Sequence, residues 1–410
     1  MTEGAREPEL EELKTVARAD VYKASRLAAH LTRVASGEVA FSYIPEWVAD
    51  GGPPVATTLP VTDEPVVAHS GAVPAFFAGL LPEGRRLGAL RRSVKTSADD
   101  ELSLVMAVGG DTVGDVRVVA EGATPDAVPP RLQVRDFDEV RFAELLADIE
   151  VRIDRVGLPG VQDKVSAAML NLPVTAAGSQ LLLKLNPPEF NHLVENEHFF
   201  LDAARQSGIP TVDATLVHDQ AGEPGLAVSR FDRVNIGGEL VSLAVEDGCQ
   251  VLGLYPAAKY SISTEDLLSG LTAVCEARRP AAAEFLAQAA FAFLTGNGDA
   301  HAKNFSVLQD ATGRWQPAPA YDLPSSQPYG DTTMALSVAA RRDGNIPGDR
   351  YVALGEKIGV RSRAARSIID RVAGSADLWV DGLPGLPFDP GVTNKLKRVI
   401  TGRQRLLRLG

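Results

Sequence analysis

The run TGNGDAHAKNFSVL, residues 295–308, follows directly on an alanine-rich apolar segment, PAAAEFLAQAAFAFL, and turns apolar again at Phe305. A polar loop between a helix that reads as buried and a strand-like piece needs none of these side chains for folding, which marks them for chemistry. Asp299 and Asn304 stand five apart, with the cation Lys303 between them. That is the D-x-x-x-x-N spacing of phosphotransfer loops, where a carboxylate takes the proton of an acceptor hydroxyl and an amide oxygen holds magnesium. One turn further, Asp322 follows the apolar PAPAY and can reach the same ion. Magnesium takes hard oxygen ligands and keeps several waters, so one amide, one carboxylate and nucleotide phosphates suffice. The plainer reading makes GNGD a turn, Asn304 a cap and Asp322 a surface carboxylate. His301 either meets phosphate or pins the loop backbone.

Upstream, Gly157 to Lys164 (GLPGVQDK) lies between two strand-like pieces and offers a tight turn whose N–H groups can cradle phosphate. It is not a Walker A loop, and a glycine hairpin without ligand is the common outcome of such a pattern. Lys184 sits inside the apolar strand LLLKL, where an unpaired ammonium is costly to bury. The next helix, expected from Leu193 to Gln206 and closed by Gly208 and Pro210, offers Glu195 and Glu197. At 3.6 residues per turn Glu197 shares the stripe of Leu193, Phe200, Leu201 and Ala204, so it is the expected partner. A strand lysine paired with a helix glutamate is how kinases hold nucleotide phosphates, and a purely structural ion pair is the alternative. VSRFDR ends a strand where adenine would meet backbone; otherwise Arg230 and Asp232 form a surface pair.

The chain of 410 residues is too long for one ordinary core, and its 45% apolar content excludes a mostly disordered polymer. A net charge of −12 has the wrong sign for a surface that condenses as a whole on nucleic acid or anionic lipid. Two cysteines, Cys249 and Cys275, support neither a disulfide framework nor a structural zinc site. The start is acidic without an apolar export core, and no stretch is apolar enough for a membrane span, so the cytoplasm is the expected compartment. The patterning predicts an acidic leader over 1–20, an α+β subdomain over 21–121 with strands in VAFSYIP and PVATTLPV, and a Pro-rich linker over 122–136. A β-rich lobe carrying the glycine loop follows over 137–246, then a mostly α-helical lobe over 247–410. The basic C-terminal run TNKLKRVITGRQRLLRLG reads first as a solvated helix face and second as a contact for a partner or nucleic acid.

Together FSYIPEW, FFAGLLPEG, VGGDTVGDV, PGVQDK, VENE, RFDR, AAKYS, GNGDAHAKNFSVL and PAYDLPS resemble the HipA family of serine/threonine kinases, the toxins of bacterial toxin-antitoxin pairs. The resemblance runs from about Val21 to the C-terminus. It implies an α+β, two-lobed fold similar to protein and phosphoinositide kinases, with an added N-terminal α+β subdomain, working with ATP and Mg2+. It places Asp299 as catalytic base and Asn304 and Asp322 as metal ligands. Pro159, Gly160, Val161, Gln162, Asp163 and Lys164, together with Lys184, Ser229, Arg230, Phe231, His301, Lys303 and Tyr321, would contact ATP. The implied partners are a HipB-like helix-turn-helix antitoxin, DNA only through that antitoxin, and a protein substrate of the translation machinery, with aminoacyl-tRNA synthetases as precedent. Two positions depart from the family pattern. Gly157 stands where well-known members carry a serine that becomes phosphorylated, and Ala244 opens AVEDGCQ where a histidine is common. These departures motivate a catalytically silent corepressor as an alternative, and a small-molecule phosphotransferase is a third reading.

Overall fold

A computed structural model describes residues 10–34, 37–125, 132–134, 136–145, 170–176 and 179–409. The glycine loop Pro159–Lys164 and Gly157 lie outside the described residues. The chain forms two units: one joins the N-terminal residues to Asp232–Ala258, and the other holds 170–231 and everything from Lys259 on.

In the first unit β1 (Arg18–Lys23), β2 (Arg26–Arg33), β3 (Val39–Tyr43), β4 (Val66–Ala68) and β5 (Val116–Ala120) make an antiparallel sheet in the order β4-β3-β2-β1-β5. Alternation sends Ala19, Val21, Leu31, Phe41 and Val118 into a core shared with Phe77, Leu102 and Val105. The last three come from α2 (Ala75–Gly79) and α4 (Glu101–Val108); α1 (Pro45–Ala49) and α3 (Gly84–Val94) complete the helices of this part. Two local expectations are corrected. The strand begins at Arg18, inside the stretch read as leader, because Ala19 is fully buried. PVATTLPV forms only a bridge between Ala56 and Leu59, since its prolines withhold ladder donors.

The stretch 232–258, with β11 (Arg233–Ile236), β12 (Glu239–Ser242), β13 (Val245–Asp247) and α6 (Gly248–Val251), belongs to this unit through buried polar ties. Thr57 donates its N–H and hydroxyl to Glu246 at 2.7 and 2.6 Å, Gly114 N donates to Asp232, and Gln250 Nε2 donates to the Phe76 carbonyl. Asp247 and Gln250 also form a reciprocal capping box on α6. A boundary between 246 and 247 therefore cuts a segment that packs as one piece.

In the second unit β6 (Leu132–Val134), β7 (Leu170–Ala176), β8 (Ser179–Leu185), β9 (Ala214–His218) and β10 (Pro224–Ser229) form a sheet in the order β6-β7-β8-β10-β9, antiparallel except for β6 beside β7. Helix α5 (Leu193–Gln206) packs on β8, β9 and β10. The rest is mostly helical: α7 (Thr264–Val274), α8 (Arg278–Thr295), α9 (Gly348–Lys357), α10 (Ser362–Trp379) and α11 (Pro390–Leu407), with the short antiparallel pair β14 (Ser306–Gln309) and β15 (Trp315–Pro317). α8 is the centre, touched by α7, α9, α10 and α11, which is why nearly every residue from Phe285 to Thr295 is buried. No described helix is long and apolar enough to cross a membrane.

Candidate active site

Helix α8 delivers the polar loop. It ends at Gly296, whose φ of +74° is the left-handed conformation glycine adopts without steric cost. A Cβ at Gly296 would stand 2.5 Å from Gln327 Cγ, and one at Gly298 would stand 2.7 Å from the Thr333 carbonyl oxygen, so both glycines permit close approach of chain to chain. The last turn of α8 is held from behind. Arg403 of α11, buried beneath the basic C-terminal face, donates from Nη1 to the Phe293 carbonyl at 2.6 Å. The C-terminal run is thus only partly a solvated face: a cation suits the negative end of α8, and the helix turns one inward to it.

The loop is then fixed at each step. Asp299 N donates to Asn297 Oδ1 at 3.0 Å, His301 N to the Asp299 carbonyl at 2.8 Å, and Asn304 N to the His301 carbonyl at 2.9 Å. Asp299, 3% exposed, accepts the Tyr260 hydroxyl on Oδ1 at 2.7 Å. Asn297 also donates from Nδ2 to the Asp322 carbonyl at 3.1 Å, tying the loop to the segment that carries the second acid. Asp322 has φ +57°, a conformation uncommon outside glycine and concentrated at working sites.

Asp322 is where the predicted residues converge. Its Oδ2 accepts from Asn304 Nδ2 at 2.6 Å, and its Oδ1 lies 3.4 Å from Lys184 Nζ. The same ammonium donates to both oxygens of Glu197, at 2.7 and 2.9 Å. The expected choice between the two glutamates is resolved: Glu195 instead takes Asn186 Nδ2 and His192 Nδ1 near the start of α5. Burial draws the Lys184 ammonium towards lower pKa, and the Glu197 and Asp322 carboxylates more than offset it, so it is held above the ordinary lysine range. With its amide nitrogen turned to Asp322, Asn304 presents Oδ1, which is buried and has no hydrogen-bond partner among the described residues. An orphaned buried acceptor is costly unless something with positive charge meets it.

The expected nucleotide contacts fall in two groups. Phe231 and Tyr321 stack with ring centres 5.8 Å apart and planes at 22°. Tyr321 donates to the Lys303 carbonyl at 2.7 Å and shares a hydrogen bond with Ser306, so Lys303 is joined to this group through its backbone. Ser229 closes β10 and Arg230 follows it, the latter donating from N to the Gln180 carbonyl at 3.3 Å. His301, 7% exposed, packs its ring against Tyr260 with centres 5.1 Å apart. Three residues that sequence reasoning passed over hold the site: Asn297, Tyr260, and Asn196 of α5. The wholly buried Asn196 side chain bonds both the N–H and the carbonyl of Ser325, just past Asp322. The asparagine in VENE, the one in GNGD and the tyrosine in AAKYS were the available signals.

Chemically, the arrangement offers a fixed carboxylate at Asp299, a hard-oxygen pair at Asn304 and Asp322, and an ammonium anchored by Glu197. No group of three or more His, Cys, Asp or Glu with metal-holding geometry occurs among the described residues. One amide oxygen plus one carboxylate is the sparser donor set suited to magnesium carried in with phosphates.

Residues 156–379 match the family model described as HipA-like C-terminal domain, and residues 19–119 match the HipA N-terminal domain. A Sinorhizobium fredii protein, Y4mE, whose name places it provisionally among kinases, is 28% identical over 425 residues, spanning 96% of this chain and 99% of that one. The serine/threonine-protein kinase toxin HipA of Shewanella oneidensis is 29% identical over 353 residues, covering 77% of this chain and 79% of that protein. Among solved structures, the complex of Shewanella oneidensis HipA with HipB and operator DNA contains a chain that superimposes with a TM-score of 0.78 at 25% identity, over 95% of this chain and 98% of that one.

Proposed function

Since the chain belongs to the HipA family, matching both of its domain models, we propose that it is an ATP- and magnesium-dependent protein kinase that phosphorylates serine or threonine. One observation carries this reading: the buried Asn304 Oδ1, unpartnered among the described residues, beside an Asp322 that Lys184 also faces. Asn304 and Asp322 would hold magnesium, which when bound neutralises the charge that develops on the transferring phosphoryl group. Lys184, kept charged by Glu197, would orient the nucleotide phosphates, and the Phe231–Tyr321 stack would flank the base. Asp299 would take the proton of the acceptor hydroxyl. The acceptor oxygen then bonds to the γ-phosphorus as the β–γ bridging bond breaks and ADP leaves with that electron pair. In this reading the sheet β6–β10 with α5 is the nucleotide lobe, and the helices around α8 form the catalytic lobe.

The expected substrate is a protein of the translation machinery, and the expected home is the cytoplasm, where that machinery and ATP are found. The Shewanella oneidensis relative was captured with HipB and operator DNA, which supports a HipB-like helix-turn-helix antitoxin as partner and DNA contact through it. The test is transfer of labelled γ-phosphate to protein by the wild-type chain and by Asp299→Asn. Loss of a general base lowers the rate about 10²- to 10⁴-fold. Equal rates would remove Asp299 from the chemistry, and no growth arrest on expressing the wild-type chain alone would favour the corepressor reading.

A further inference from the structure

We infer that Tyr260 is a positioning residue for Asp299: its hydroxyl fixes one carboxylate oxygen so that the other is held in a single orientation for the acceptor proton. This rests on the reading of Asp299 as the base. The terminal torsion of an aspartate is soft and nearly two-fold, so packing alone does not fix which way the carboxylate plane faces. A phenol O–H donated to a carboxylate is charge-assisted and short, and here it spans 2.7 Å to Oδ1.

Tyr260 is itself held to the loop it serves. Arg342 Nη2 donates to its carbonyl at 2.6 Å, and the carbonyl of its neighbour Lys259 accepts from Ala302 N, inside the loop, at 3.1 Å. Its ring packs edge-on against His301 and lies 5.3 Å from Lys259 Nζ. Phenol, loop backbone and carboxylate are therefore tied into one piece, and the hydroxyl is the atom of Tyr260 that meets the acid. Tyr260→Phe deletes that atom and keeps the ring, with its packing on His301 and Lys259. A misplaced general base costs one to two powers of ten in the chemical step without touching nucleotide affinity.

The test uses the full chain, labelled ATP, a degenerate serine/threonine peptide pool, and water as the acceptor that is always present. Wild type, Tyr260→Phe and Asp299→Asn are compared in kcat, in ATP KM and in the dissociation constant of a fluorescent ATP analogue. The expected result for Tyr260→Phe is a kcat lower by about 10- to 30-fold with KM and analogue affinity within about twofold of wild type. A wild-type kcat in Tyr260→Phe while Asp299→Asn is inactive overturns the inference and leaves Asp299 as base. Parallel losses of kcat and nucleotide affinity overturn it in favour of a structural role. A fully active Asp299→Asn overturns the underlying reading, and the inference with it.

Discussion

Replacing Glu197 by Gln perturbs the site at its most buried charge. Both Glu197 oxygens accept from Lys184 Nζ, at 2.7 and 2.9 Å, and the residue has no solvent exposure. Glutamine keeps the shape but loses the charge and one acceptor, which leaves the ammonium with Asp322 Oδ1 at 3.4 Å. Removing one partner of a buried ion pair costs about 3–5 kcal/mol, and the remaining carboxylate puts the expectation at about 3 kcal/mol. Activity suffers by a second route, because Lys184 drawn to Asp322 competes with the cation that Asp322 is proposed to hold; kcat/KM for ATP is expected to fall about 10²-fold. Urea unfolding gives the first quantity and steady-state transfer the second. The double variant Lys184→Met/Glu197→Leu separates them: apolar replacement of a buried pair is close to neutral, so stability returns to within about 1 kcal/mol of wild type while transfer stays lost. A Glu197→Gln protein that unfolds at the wild-type midpoint and transfers phosphate at the wild-type rate would refute the reasoning.

Asn304→Ala deletes the orphaned carbonyl oxygen, so the magnesium needed for half-maximal transfer should rise at least about tenfold, as expected for removing one of two protein ligands; a magnesium titration checks it, and an unchanged midpoint would count against Asn304 as ligand. Glu284 supplies a pH prediction, because burial pushes its carboxyl up from 4.5 to about 7. A folded-state value above the unfolded one means stability is present at low pH and is lost as pH rises from about 4.5 through about 7. Between pH 5 and 8 the wild type should therefore lose about 1–2 kcal/mol more than Glu284→Gln, the full shift being discounted for partial exposure. Parallel pH profiles of the two proteins in denaturant unfolding would show that Glu284 does not titrate in this range.

What could be read from sequence is what local spacing encodes. Lys184 in LLLKL, the stripe that put Glu197 rather than Glu195 inward, and the helix–loop–strand run around Asp299 all depend on periods of two or 3.6 residues, and the structure shows each element where the spacing put it. The clamps were not legible. Asn196 meets Ser325, Arg403 meets Phe293 and Glu246 meets Thr57 across more than a hundred residues in every case, and no local pattern encodes such a partner. For the same reason the affinity of 232–258 for the N-terminal unit was invisible, since its few polar side chains look like surface residues until their partners are known. PVATTLPV shows the opposite failure, an apolar alternation that its prolines keep from pairing.

The most direct measurement is a crystal structure with manganese in place of magnesium and a nonhydrolysable ATP analogue, read by anomalous scattering. A peak about 2.1 Å from both Asn304 Oδ1 and an Asp322 carboxylate oxygen, in contact with the phosphates, is the expected result. A metal bound elsewhere, or an Asn304 oxygen turned away from it, would remove Asn304 and Asp322 as the magnesium ligands.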